Sequence, residues 1–163
     1  MNTRTKLIFI LTALTIGLCL SASCAWAGGS SPAAVAKQFT KSFYMLDDDM
    51  AEYLSEDALT NDNDVNMVDL FLRLKQDEAR NRGYDVSYLQ MFPILTKTHV
   101  VSMDDQTAVV DVKITALRSI NPLYRAVGYI FCLLEEHDFD TTLTLVKEDG
   151  EWKVGPGVLA LAI

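Results

Sequence analysis

Two histidines and three cysteines are all that this 163-residue chain offers of the side chains that most readily hold transition metals. No H-x-H or H-x-x-x-H pair exists, so no two imidazoles stand at ligand spacing. Cys19 and Cys24 lie in an N-terminal leader, which leaves Cys132 alone in the stretch IFCLL. One thiol closes no internal disulfide, and in an apolar run it reads as a small hydrophobe. Also absent are a nucleophile motif, a phosphate loop and a dinucleotide fingerprint. Basic charge is scarce: 14 Lys and Arg stand against 22 Asp and Glu, for a formal net charge of −8. Such a chain repels nucleic acid and anionic membrane surfaces, which excludes both as partners. There is no internal repeat and no low-complexity segment.

What is present begins with the leader, MNTRTKLIFILTALTIGLCLSASCAWAGG. Arg4 and Lys6 form a basic start. Leu7 to Leu20 is apolar apart from Thr12, Thr15 and Gly17, and Ala25-Trp26-Ala27 is an A-x-A site. These are the three parts of a secretory signal peptide, and the apolar run falls short of the ~20 residues of a membrane-spanning helix. Residues 1–27 are therefore expected to be removed, and residues 28–163 to form one domain, periplasmic or secreted, with no transmembrane helix in the mature chain. A lipoprotein anchored through Cys24 is the alternative; it has small residues before the Cys but lacks the large aliphatic residue three positions ahead. Removal of Arg4 and Lys6 leaves 12 basic against 22 acidic side chains, a net of −10.

The mature part opens with SSPAAVAKQFTKSFYMLDDD. Ser30 or Ser31 is placed to cap a helix, with Pro32 in its first turn. Val35, Phe39, Phe43 and Leu46 recur at steps of four, four and three, one apolar helical stripe. A short second helix is expected over Met50 to Leu54, capped by Asp48 or Asp49. A third opens at NDND, with Val65, Val68, Phe71 or Leu72, and Leu74 on one face, and stops at Gly83. Asp69 with Arg73 and Glu78 with Arg82 stand at i,i+4 on its outside.

Beyond Gly83 the period becomes two. Tyr84, Val86 and Tyr88 alternate with Asp85 and Ser87, which predicts a strand that Pro93 interrupts. TKTHVVSM and TAVVDVKITAL flank the polar turn Asp104-Asp105-Gln106 as a hairpin, with Val110, Val112 and Ile114 on its buried face. His99 is in phase with Val101 and Met103, which predicts a core-facing histidine. A second hairpin, TLTLVKEDGEWKVG, turns at Asp149-Gly150 and brings Trp152 and Val154 to one face. Between the hairpins, Asn121 to Asp140 carries an apolar run over Ala126 to Leu134. Asn121 and Pro122 favour a helix there; a buried strand is the alternative. Either form is expected to be covered, because apolar surface of that size is rarely left in water. The tail Val158 to Ile163 has no polar side chain and is expected to dock on its own chain or on a second copy.

Helix, short helix, longer helix and then antiparallel strands ending in D-G-x-W is an order that resembles the nuclear transport factor 2-like superfamily. PAAVAKQFTKSFYMLDDDMAEYLSEDAL at the front and LTLVKEDGEWKVG at the back carry the resemblance, which spans most of residues 32–156. It implies an α+β fold in which N-terminal helices pack on a curved antiparallel sheet, a cone with a pocket at its wide end. The apolar insert at about 121–138 departs from that pattern. Members of the superfamily use the pocket for catalysis, for binding or as a dimer scaffold, so the fold does not choose the function.

The resemblance includes ketosteroid isomerase, whose relatives use an Asp base or a Tyr/Asp pair in the cone. Tyr44, Tyr53, Tyr88, Asp111 and His99 are comparable material here, but none matches a family motif by spacing, and no catalytic role is carried over. His99 and Asp111 are the only candidates for acid–base work. Tyr44, Tyr53, Tyr88 and Tyr129 are the candidates for lining a ligand pocket, since a buried phenol seeks a polar partner. Phe39, Phe43, Phe71 and Trp152 read as core.

Asp47 to Asp69 holds nine acidic residues and no Lys or Arg. A calcium loop read from Asp62 matches at Asp64 and Asn66. It fails at Met67, where Gly is needed, and at Arg73, where a bidentate Glu is needed. The acids read instead as helix N-terminal residues favoured by the helix dipole, so no metal and no cofactor is expected. Together these features suggest a non-catalytic binding or accessory domain that holds a small apolar molecule or an envelope protein. A cofactor-free isomerase or dehydratase, and a structural homodimer, are the competing readings. Mass spectrometry of the exported protein is expected to find a chain starting at Gly28; a lipid-modified Cys24 start would assign it to the lipoproteins instead.

Overall fold

The computed structural model describes residues 30–159 except 62, 119–121 and 132, with the side chains of 122, 124, 125 and 129 also outside the description. The expected leader and Cys132 therefore lie outside the described residues. Helix α1 runs Pro32–Met45, capped by Ser31, whose Oγ accepts from Ala34 N–H. It ends at Leu46 in the left-handed conformation (φ 53°). The expected short helix is a 3₁₀ helix, Asp48–Tyr53, capped by Asp47. A four-residue helix α2, Glu56–Leu59, follows with Ser55 as its cap. Helix α3 covers Met67–Asn81; Asn66 Oδ1 caps it by accepting from Val68 and Asp69 N–H at 2.9 and 3.0 Å. Gly83 (φ 80°) stands just past its end.

Four strands form one antiparallel sheet in the order β1 (Met91–Met103), β2 (Thr107–Arg118), β3 (Glu136–Glu148), β4 (Glu151–Val154). Between β2 and β3 stands α4, Pro122–Ile130. The architecture is the α+β one expected, N-terminal helices on a curved antiparallel sheet. In β2 the alternation is complete: Ala108, Val110, Val112, Ile114 and Ala116 are buried, and residues between them reach solvent over 109–115. That stripe meets Val35, Ala36 and Phe39 of α1, Met50, Leu54, Val68 and Phe71 from the other helices, and Leu143, Leu145 and Val154 from β3 and β4.

The last hairpin joins the two layers. Asp149 (φ 50°) and Gly150 (φ 86°) both adopt the left-handed conformation that a two-residue turn requires. The short β4 then gives its Val154 carbonyl to Ser55 N–H at 2.9 Å and bridges Leu54 in parallel. Lys153 Nζ donates to the Glu52 carbonyl at 2.8 Å, and Glu56 N–H donates to Glu148 Oε2 at 3.2 Å. Trp152 packs on the core as expected, with Lys147 Nζ 5.5 Å from its ring centre.

Several expectations are corrected. Residues 84–88 form no strand: Asp85 Oδ1 captures Ser87 N–H at 2.9 Å and turns Val86–Tyr88 into a 3₁₀ helix. Pro93 does not end the strand but lies inside β1, opposite Ala116, with a register shift beside it. An edge strand tolerates the missing N–H. His99 is exposed, not core-facing. It pairs with Asp111, which must point outward because Val110 and Val112 point inward. A second shift between Val100 and Ser102 breaks the phase that linked His99 to Met103. The insert is helical over 122–130, yet Ile130, Phe131 and Leu133 are all at least 66% exposed, so that these apolar side chains are open to solvent among the described residues.

Removing the Phe71 ring is expected to cost about 3–5 kcal/mol, as for a fully enclosed aromatic, because Phe71 is 1% exposed. Ser55→Ala is expected to cost about 1 kcal/mol through its lost cap. Urea denaturation of Phe71→Ala and Ser55→Ala checks both.

Candidate binding pocket

The pocket follows from the shortness of β4. Strand β3 has 13 residues and β4 only 4, so β4 pairs with residues 145–148 alone. The chain then leaves the sheet through Gly155, whose N–H donates to the Thr144 carbonyl at 2.8 Å. A Cβ at Gly155 would lie 3.3 Å from that oxygen, so glycine permits the close approach. Gly157 (φ 91°) turns the chain again, and Leu159 enters the core. What remains between α1, the middle of β3 and this turn is an open cavity of about 550 Å³. Phe39, Phe43 and Tyr44 form one wall, Thr141 and Leu143 the second, and Pro156 to Val158 the third.

The wall from α1 is a connected aromatic set. Phe43 stacks on Phe71 with ring centres 5.1 Å apart and meets Tyr44 edge-on at 5.4 Å. Tyr44 reaches Phe139 of β3 at 5.0 Å, and Phe139 lies near His137 at 6.5 Å. Such contacts add to area burial and fix ring orientation. Phe39 and Phe43, four positions apart, share a helix face, and Tyr44 stands beside Phe43. Thr40 Oγ1 is already committed, donating to the Ala36 carbonyl at 2.7 Å. Tyr44 is the one titratable side chain among the described lining residues, and burial pushes its phenol above the ordinary tyrosine value.

The sequence-nominated residues do not converge. Tyr44 lines the cavity; Tyr53 is half-buried against the core outside it. Tyr88 is 52% exposed and pairs with Tyr84 at 5.9 Å. The Tyr129 side chain lies outside the described residues. His99 and Asp111 stand opposite each other on the outer sheet face, and Asp111 Oδ1 accepts from Thr142 Oγ1 at 2.7 Å. Phe39 and Phe43, read as core, are both core and wall. Thr141 was not nominated from the sequence, although the clustered threonines of TTLT were an available signal, and Val158 was read only as part of a docking tail.

Among the described residues, Asp47, Asp48 and Asp49 are the group of carboxylates close enough to share a cation, and all three are exposed. Asp47 Oδ1 already accepts from Asp49 N–H at 3.2 Å as the helix cap. A smaller hollow of about 290 Å³ lies beyond Tyr44, bounded by Phe71, Lys75 and Glu78. There the hydrogen bond from Lys75, at 3.1 Å, holds the Glu78 carboxyl below its ordinary range.

No protein-family model matches the sequence, and no curated protein is significantly similar to it. Among solved structures, a Campylobacter jejuni chain described as an NTF2-like transpeptidase, NTF2 being nuclear transport factor 2, is similar. The match covers 78% of this chain and 100% of that one, with 15% identity and a TM-score of 0.47. At that identity and score the likeness is one of architecture and bears on no activity.

A raised phenol binds its proton more tightly in the folded state, so folding stability falls as pH rises past the unfolded tyrosine value of about 10. Ultraviolet titration is expected to find one late-ionising tyrosine that disappears in Tyr44→Phe, together with a shallower loss of stability above that pH.

Proposed function

We propose that this chain is a non-catalytic binding domain of the cell envelope, holding a small apolar molecule or an apolar group of an envelope protein in the pocket beside Tyr44. One observation carries the reading: an open cavity of about 550 Å³ with an aromatic wall and a single titratable group among the described lining residues. That volume is in the usual range for small-molecule sites, which are mostly apolar with a few polar groups. Acid–base catalysis needs a group that exchanges its proton near working pH. Burial moves Tyr44 further from that condition, and the two candidates for acid–base work, His99 and Asp111, are on the outer sheet face. No helix of the described chain is long and apolar enough to cross a membrane.

The test uses the uncharged dye Nile red with three proteins. Wild type is expected to bind it with micromolar affinity. Thr141→Trp, which fills the cavity from β3, is expected to weaken binding at least about tenfold, or about 1.4 kcal/mol. Ile130→Ser, on the exposed face of α4, is expected to leave it unchanged. Dye that binds wild type and Thr141→Trp alike, or that leaves with Ile130→Ser, would refute the pocket as the site.

A further inference from the structure

Beyond its short pairing with β4, strand β3 has an open edge. Lys147 N–H donates to the Gln106 carbonyl on the β2 side, whereas the Thr144 carbonyl accepts from Gly155 on the opposite side. Backbone groups alternate in direction along an antiparallel strand. The N–H and C=O groups of Asp138, Asp140 and Thr142 therefore point away from β2, and no described strand pairs with them. An unpaired strand edge is a template for another strand. The opposite edge of the sheet, β1, carries Pro93 and two register shifts that interrupt such a ladder. β3 has neither in its pairing with β2 or β4.

The two sides of this edge differ in chemistry. On the inner side Phe139 and Thr141 continue the wall that Tyr44 begins, and Thr141 lines the pocket. On the outer side Glu136, Asp138 and Asp140 are exposed at every second position. Among the described residues, Lys113 faces this row, 3.6 Å from Asp140, with both side chains more than 70% exposed. Two antiparallel copies of β3 meeting at this edge would bring acidic residues together, which is destabilising. The row that rejects a second copy favours a basic strand.

Resting on the reading of the pocket as a binding site, we propose that the partner is an extended protein segment with Lys or Arg at every second position and apolar residues between. It adds to the open edge of β3 as a further strand. Its backbone pairs with Asp138, Asp140 and Thr142. Its basic side chains lie along Glu136, Asp138 and Asp140, and its apolar ones turn toward Phe139 and the pocket. Strand addition of this kind takes affinity from the main chain and specificity from alternate side chains.

The probe is a synthetic peptide of alternating Lys and Leu, compared with one of the same composition in which Lys and Leu are grouped in blocks. Hydrogen exchange is expected to slow at least about tenfold at the amides of Asp138, Asp140 and Thr142 when the alternating peptide saturates wild type. Asp140→Pro deletes one outward N–H and leaves the β2 ladder intact, and is expected to weaken binding at least about tenfold. Asp140→Asn keeps the N–H and removes the charge; it is expected to weaken binding only about threefold and to reduce its salt dependence. Retained Nile red binding by Asp140→Pro shows that this variant is folded. Wild type that binds the dye but not the peptide, or binds both peptides equally, or an Asp140→Pro that binds like wild type, overturns the added strand and leaves the pocket standing. Wild type that takes neither dye nor peptide overturns both.

Discussion

The hydrogen bond from Ser55 N–H to the Val154 carbonyl is the point through which the two layers are held. Val154 ends the last strand, pairs with Leu145, bridges Leu54 and is 1% exposed. A residue so fixed on every side sets where the helical layer sits on the sheet. It also sets where the sheet stops. Beyond Val154 the chain leaves the sheet through Gly155 and turns at Gly157, which has a positive φ. The cavity lies beside that turn, and the edge of β3 before residue 144 is left open because β4 is short.

Charge serves the local structure before it serves anything else. Asp47, Asp85 and Asp104 each accept from backbone N–H groups two or three residues on, and Asn66 does the same for α3. These bonds hold the Asp85 and Asp104 carboxyls below their ordinary values. Within the run from Asp47 to Asp69, Asp47 is a cap and Asp48, Asp49, Glu56, Asp57 and Asp69 stand in first helical turns. Only the acids of β3 alternate along an open edge, and there the same charge acquires a second meaning.

Much of the fold was legible because it is set by short-range rules. Ser31, Pro32 and the Phe39–Phe43 spacing specify α1, and the alternation of Val110, Val112 and Ile114 specifies β2. Asp149-Gly150 specifies the last turn. Where reading failed, a local competitor or a distant neighbour decided. Asp85 took the Ser87 amide and made a turn of a segment patterned as a strand. The facing of His99 depended on its partner Asp111 across the sheet, and phase within β1 was broken by the shift at Val100–Ser102. Of the candidate pocket, Tyr44 was legible as a phenol near apolar residues. Thr141 and Val158 were not legible as its lining, because their place there depends on where the chain leaves the sheet after Val154.

By itself the sequence determined the composition class, the stripe and cap of α1, the two hairpins and the α+β order of elements. Each of those depends on residues within a few positions of one another, where periodicity and hydrogen-bonding side chains act directly. Tertiary structure alone decided which aromatics face the cavity, that His99 and Asp111 look outward, and that β3 outruns β4. Those outcomes depend on register between segments as much as a hundred residues apart, and register is fixed only when the buried stripes of β2, β3 and the helices meet.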